Sequence, residues 1–136
     1  MSRILVIDDQ SDIRRLIRWA LEDENHEMFE ATNGHQGLAA ARAVDPHLIL
    51  LDVTMPGELN GFQVCEQLKA DPGLRHKPVV MLTAQTRERD RDAADRAGAD
   101  AFIPKPFSRA ELLATIDRLV VGAAPVQAAT TATSPG

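Results

Sequence analysis

Short apolar runs recur along the chain, and each is followed by a longer segment whose apolar residues come at helical spacing. Five runs are bounded by polar, Gly or Pro residues: 3–8 (RILVID), 26–31 (HEMFEA), 47–52 (HLILLD), 78–83 (PVVMLT) and 100–103 (DAFI). Each predicts a β-strand. The second alternates apolar with polar positions and suits a sheet edge, while the first, third and fourth are continuously apolar and suit strands covered on both faces. Between them, Ile13, Leu16, Ile17, Ala20 and Leu21 fall at i, i+3, i+4, i+7 and i+8, a stripe that sets one helix against the sheet. Weaker stripes cover 34–44 and 61–70. Ser108, with Glu111 at the capping-box position, starts a last helix whose Leu112, Leu113, Ile116, Leu119 and Val120 face inward.

Segment 87–96 (RERDRDAADR) differs, because eight of its ten residues are charged and only Ala93 and Ala94 offer apolar surface. It reads as a solvated helix laced with pairs such as Arg91 with Asp95 and Asp92 with Arg96. The sharper reading is a loosely held helix that can move or be covered by a partner.

Strands alternating with helices predict an α/β fold, a doubly wound parallel sheet whose right-handed crossovers put helices on both faces. One domain covers residues 1–121. The remainder, 122–136, is uncharged and without apolar period, and is expected to be a disordered tail.

Composition narrows the function. Fifteen Lys and Arg against twenty Asp and Glu leave a net charge of −5, which repels nucleic-acid phosphates, so no direct DNA contact is expected. Apolar runs such as 48–51 are far shorter than the roughly 18 residues that span a bilayer, and no signal-peptide pattern opens the chain. Cys65 has no partner for an internal disulfide. A cytoplasmic protein without membrane contact is expected. The spacing of His26, His35, His47 and His76 holds no metal, and these are read as surface residues. Cys65 reads as a small buried residue, and Trp19 lies beside the first helix's stripe, remote from the strand ends considered next.

In a doubly wound sheet the ligand site lies beyond the carboxyl ends of the strands. Those ends are polar here: Asp8 and Asp9 after the first, Asp52 at the third, Thr83 at the fourth, and Lys105 just past the fifth. Singly, Asp8 or Asp9 could cap a helix, Thr83 could be a strand-end hydroxyl and Lys105 a solvated lysine. Asp52 resists a capping role, because an eight-residue loop (VTMPGELN) follows it. Carboxylates that converge must either take up protons or be neutralised by cations, and a hard divalent ion that keeps several waters, Mg²⁺, suits oxygen ligands. With Lys105 added, the edge forms an electrostatic cradle for a phosphoryl group, which an aspartate can accept covalently.

On these residues the sequence resembles the receiver domain of two-component response regulators. Its motifs are Asp8-Asp9, Asp52 followed by Met55-Pro56-Gly57 and Gly61, Thr83-Ala84, and Lys105-Pro106-Phe107, in order along residues 3–121. The resemblance implies a flavodoxin-like strand order 2-1-3-4-5. It also implies Asp52 as phosphoacceptor, Asp9 and Asp52 as direct Mg²⁺ ligands, Asp8 as an acid that holds the metal largely through water, and the Thr54 carbonyl as a further ligand. Thr83 and Lys105 would contact phosphoryl oxygens. Phe102 matches the rotamer-switch aromatic, with a plain core phenylalanine as the alternative, and a cis Lys105-Pro106 bond is usual. The implied donor is a histidine kinase or histidine phosphotransfer protein, and a downstream protein would read the surface around residues 84–107. One departure is an extra residue between Pro56 and Gly61. Thr54 and Gln85 stand at positions that tune phosphoryl lifetime in that family. Two alternatives stay open: an aspartyl-phosphate phosphohydrolase, although Thr54 stands where such enzymes place a second Asp, and a receiver cut from a larger regulator whose effector domain followed the tail.

Overall fold

In a computed structural model that describes residues 2–22, 24–55, 57, 59–84 and 88–123, the apolar runs are the five strands of one sheet. The elements are β1 (Ser2–Ile7), α1 (Ser11–Leu21), β2 (His26–Ala31), α2 (Gly34–Val44), β3 (Leu48–Asp52), α3 (Gly61–Ala70), β4 (Val79–Thr83), α4 (Glu88–Ala97), β5 (Ala101–Pro104) and α5 (Arg109–Ala123). The strands are all parallel, in the order β2-β1-β3-β4-β5. This is the flavodoxin-like order that the resemblance implied.

Alternate residues of the central strands feed two cores, as a period of two requires. Leu5, Ile7, Ile49, Leu51, Val79 and Met81 pack with Leu38 and Ala41 of α2, Val64 and Leu68 of α3, and Ala94 and Ala97 of α4. Ile4, Val6, Leu48, Leu50, Val80 and Leu82 pack with Ile17, Ala20 and Leu21 of α1 and with Leu112 and Ile116 of α5. All five residues of β3 and of β4 are buried. The alternating β2 lies at an edge, as its pattern predicts.

Several strands start one residue later than the apolar runs suggest, because polar residues close the amino-terminal end of the sheet with their side chains. His47 donates its N–H to the Arg3 carbonyl at 2.8 Å and accepts the Arg3 N–H on Nδ1 at 2.9 Å. Asp100 accepts the Val79 N–H at 2.9 Å and pairs with Lys69 Nζ at 2.8 Å. The histidines are therefore not uniformly surface residues: His47 and His26 are half-buried.

The α1 stripe is narrower than expected. Leu16 is 37% exposed and lies beside Trp19, which is 58% exposed; at 100° per residue Leu16 falls at the stripe's edge, past the sheet. The Arg109 guanidinium lies over the Trp19 ring, 5.6 Å from its centroid. Among the described residues of α4, Ala94 and Ala97 are buried and Ala93 is half-buried. Helix α5 runs two residues past the expected boundary at residue 121, and the expected tail from residue 124 onward lies outside the described residues. No helix among the described residues is long and apolar enough to cross a membrane.

Candidate functional site

The end of β1 delivers the first acids. Asp8 donates its N–H to the Ala31 carbonyl at 3.0 Å, and its carbonyl accepts from Arg14 at 2.8 Å, so its backbone is held from two sides. Its side chain is fully buried, and Oδ1 accepts the Gln10 N–H at 2.9 Å. Neither Asp8 nor Asp9 caps α1, since that position belongs to Gln10. Asp9 is exposed at the rim of the site.

At the end of β3, Asp52 is only 3% exposed and stands in register with Leu82 of β4. The Val53 N–H reaches the Leu82 carbonyl at 2.9 Å, and the Thr54 N–H reaches Asp52 Oδ1 at 3.3 Å. Gly61, the first residue of α3, sits directly against this turn, donating to the Val53 carbonyl at 2.9 Å. A Cβ there would strike the Asp52 carbonyl oxygen and come within 2.7 Å of Val53 Cα. Only glycine fits. A reciprocal cap between Asn60 and Gln63, each bond 2.9 Å, fixes the entry of α3. The Asn-x-x-Gln spacing carried that signal in the sequence.

Lys105 arrives from the edge strand. Its N–H donates to the Thr83 carbonyl at 2.6 Å, and its peptide bond to Pro106 is cis, as expected. Its Nζ donates to Asp8 Oδ2 and to Asp52 Oδ1, both at 3.2 Å, and to Gln10 Oε1 at 3.3 Å. Thr83 is buried at the end of β4. Asp9, Gln10, Asp52, Thr54, Ala84 and Lys105 line a cleft of about 340 Å³. The strand-end residues named from the sequence are thus gathered at one edge. Phe102 is not in the cleft. It is half-buried on β5 opposite Met81, packed on the α3/α4 side, with the Arg91 guanidinium 5.4 Å from its ring centroid. Gln85 lies outside the described residues. The residue that the sequence reading missed is Gln10, which carries no charge and belongs to no recognised motif.

One ligand oxygen from each of Asp8, Asp9 and Asp52 lies within 4.8 Å of the others. Two of these carboxylates are buried beside a single ammonium. Burial first, and then the charge of Asp8, push the Asp52 carboxyl up to about 6, with Lys105 opposing both. An all-oxygen, acidic donor set with one exposed member suits a hard divalent ion that retains water, and Mg²⁺ fits it.

The family model for the response regulator receiver domain matches residues 4–117. Protein PilH of Pseudomonas aeruginosa is 37% identical over 122 residues, an alignment covering 90% of this chain and 100% of PilH. The transcriptional regulatory protein ResD of Bacillus subtilis is 40% identical over 119 residues, covering 88% of this chain and 48% of ResD. The chain therefore spans about half the length of ResD and all of PilH. Among solved structures, the chemotaxis protein CheY4 of Vibrio cholerae superposes with a TM-score of 0.82 at 29% identity, covering 88% of this chain and 98% of that one.

Proposed function

Because the chain belongs to the response regulator receiver domain family, a signalling domain of two-component systems and not an enzyme class, we propose that it is a phosphorylation switch whose acceptor is Asp52. Receiver domains bind Mg²⁺ at an acidic pocket, and the Asp8, Asp9 and Asp52 cluster is the matching feature of this chain. The observation that carries the reading is the pair of 3.2 Å contacts from Lys105 Nζ to Asp8 and Asp52 at the strand ends. They put an ammonium beside a buried carboxylate in an open cleft.

The donor is the phosphohistidine of a histidine kinase or of a histidine phosphotransfer protein. An Asp52 carboxylate oxygen attacks phosphorus, the P–N bond breaks, and its electron pair stays on the imidazole nitrogen, which takes up a proton. Asp9 and Asp52 would ligate the metal directly, Asp8 through water, and the Thr54 carbonyl would complete the protein's share. When bound, the cation supplies charge neutralisation for the carboxylates and the phosphoryl oxygens. Lys105 donates to one phosphoryl oxygen, and the Thr83 hydroxyl donates to another. The new charge favours a shift of Thr83, Phe102 and α4 that a downstream protein reads on the face around residues 84–107. A cytoplasmic location fits this donor.

Intact-mass measurement after incubation with Mg²⁺ and acetyl phosphate tests the reading. The parent should gain one phosphoryl group, and Asp52→Asn and Asp9→Ala should not. Undiminished labelling of Asp52→Asn moves the acceptor elsewhere. Full labelling of Asp9→Ala in excess chelator removes the metal. A second reading, that the domain works as the receiver half of a longer regulator, draws on the partial coverage of ResD.

A further inference from the structure

Helix starts favour Asn, Asp, Ser or Thr at the N-cap, where a short side chain reaches back to an unpaired backbone N–H. Three helices of this chain follow the rule: Asn33 accepts from Gln36, Asn60 from Gln63, and Ser108 from Glu111. Helix α1 does not. Its N-cap is Gln10, with extended backbone, and its side chain makes no capping bond. The side chain instead turns into the cleft, where Oε1 accepts from Lys105 Nζ at 3.3 Å.

An ammonium has three N–H donors. Two of those on Lys105 go to Asp8 Oδ2 and Asp52 Oδ1 at 3.2 Å, and Gln10 supplies the acceptor for the third. The three acceptors are not equivalent. The ammonium makes all three bonds charge-assisted, but two acceptors are carboxylates and the third is a neutral amide, the weakest of the set.

We propose that Gln10 is a positioning residue for Lys105: it holds the third ammonium proton in the unphosphorylated protein and gives it up to a phosphoryl oxygen during transfer. The proposal rests on the reading of Asp52 as acceptor. Exchange of a neutral amide for an anionic oxygen is favourable, so Lys105 is kept in place without being trapped by a third carboxylate. The departure of α1 from the capping rule has a reason on this view, since an Asn or Ser would cap the helix and be too short to reach Lys105.

The test separates positioning from helix stability. Gln10→Asn restores a good N-cap and removes the reach. It should raise the thermal midpoint, let the Lys105 ammonium protons exchange with water several-fold faster by NMR, and slow labelling by acetyl phosphate with Mg²⁺ by about fivefold, the size expected for one lost hydrogen bond. Gln10→Glu keeps an acceptor at the same reach and should retain the slow exchange of the Lys105 protons. The proposal fails if Gln10→Asn labels at the parental rate, if its Lys105 protons exchange as in the parent, or if its thermal midpoint falls together with its labelling. Fast exchange in Gln10→Glu also overturns it. Proton exchange needs no phosphoryl group, so it stands apart from the test of Asp52 as acceptor.

Discussion

At the scale of single residues, Asp52 carries a cost that its proposed role as acceptor explains. Burial and the neighbouring Asp8 push its carboxyl up to about 6. The folded protein then binds more protons than the unfolded chain between the ordinary carboxylate range and about pH 6, so stability falls as pH rises through that window. Above it the folded state bears the whole penalty, roughly 3 kcal/mol by the usual conversion. Asp52→Asn should therefore raise the denaturation midpoint at pH 7 in chelator, with the gain shrinking as the pH falls into the ordinary carboxylate range. Equal midpoints at neutral pH would show that the carboxylate is not strained. Saturating Mg²⁺ should narrow the difference by stabilising the parent. Gly61 is the second sensitive residue. Because its Cβ position collides with the turn after Asp52, Gly61→Ala should cost about 2 kcal/mol or more in chemical denaturation, through overpacking against backbone that cannot step aside.

Among the elements, α4 is the one expected to move. Among its described residues the buried side chains are the small Ala94 and Ala97, in a helix otherwise dominated by charge. The contacts that tie it down include Arg91 over Phe102 and the Cys65 thiol donating to the Ala97 carbonyl at 3.4 Å. Amides of α4 should exchange with solvent faster than those of α1 and α3, and Arg91→Ala should accelerate them further. Cys65 reports the same motion. Burial pushes its thiol up to about 11, so its reaction with a thiol reagent needs local opening, and its rate should follow α4 exchange across variants. With a stable phosphoryl mimic, changes should be larger over residues 84–107 than in α1, and Thr83→Ala should lose most of them. Changes concentrated in α1 would overturn this assignment of the switch.

Across the whole molecule the two ends of the sheet titrate in opposite senses. At the amino-terminal end, burial and then the charges of Arg3 and Lys77 hold the His47 imidazole below its ordinary value, and its Nδ1 accepts the Arg3 N–H. Below about pH 6.5 the unfolded chain takes up a proton there that the folded one refuses, so stability falls as pH falls through this window. Asp52, at the carboxyl-terminal end, gains stability over much of the same descent. The parent should thus show a shallow pH dependence between about pH 6.5 and 5, and Asp52→Asn, with the opposing effect removed, a steeper decline. A parallel pair of curves would mean that the Asp52 carboxyl titrates normally.

The alternation of apolar runs with helical stripes and the polar residues that close those runs were enough to define a doubly wound parallel sheet and the edge at which Asp8, Asp9, Asp52, Thr83 and Lys105 come together, while the strand order followed from the family resemblance. Sheet and edge follow from local properties, set by residue periodicity and by the handedness of short crossovers. Tertiary packing decided the rest. The bond from Lys105 to Asp8 joins residues 97 apart in the chain, and the one to Gln10 joins residues 95 apart, so no spacing rule shows which acceptor receives the third proton. Leu16 belongs to the apolar stripe and is nonetheless exposed, while His47 is polar and yet half-buried, because exclusion of water is decided by which neighbours arrive. The same exclusion raises the Asp52 carboxyl and lowers the His47 imidazole, since the energy of a charge depends on the medium that folding places around it.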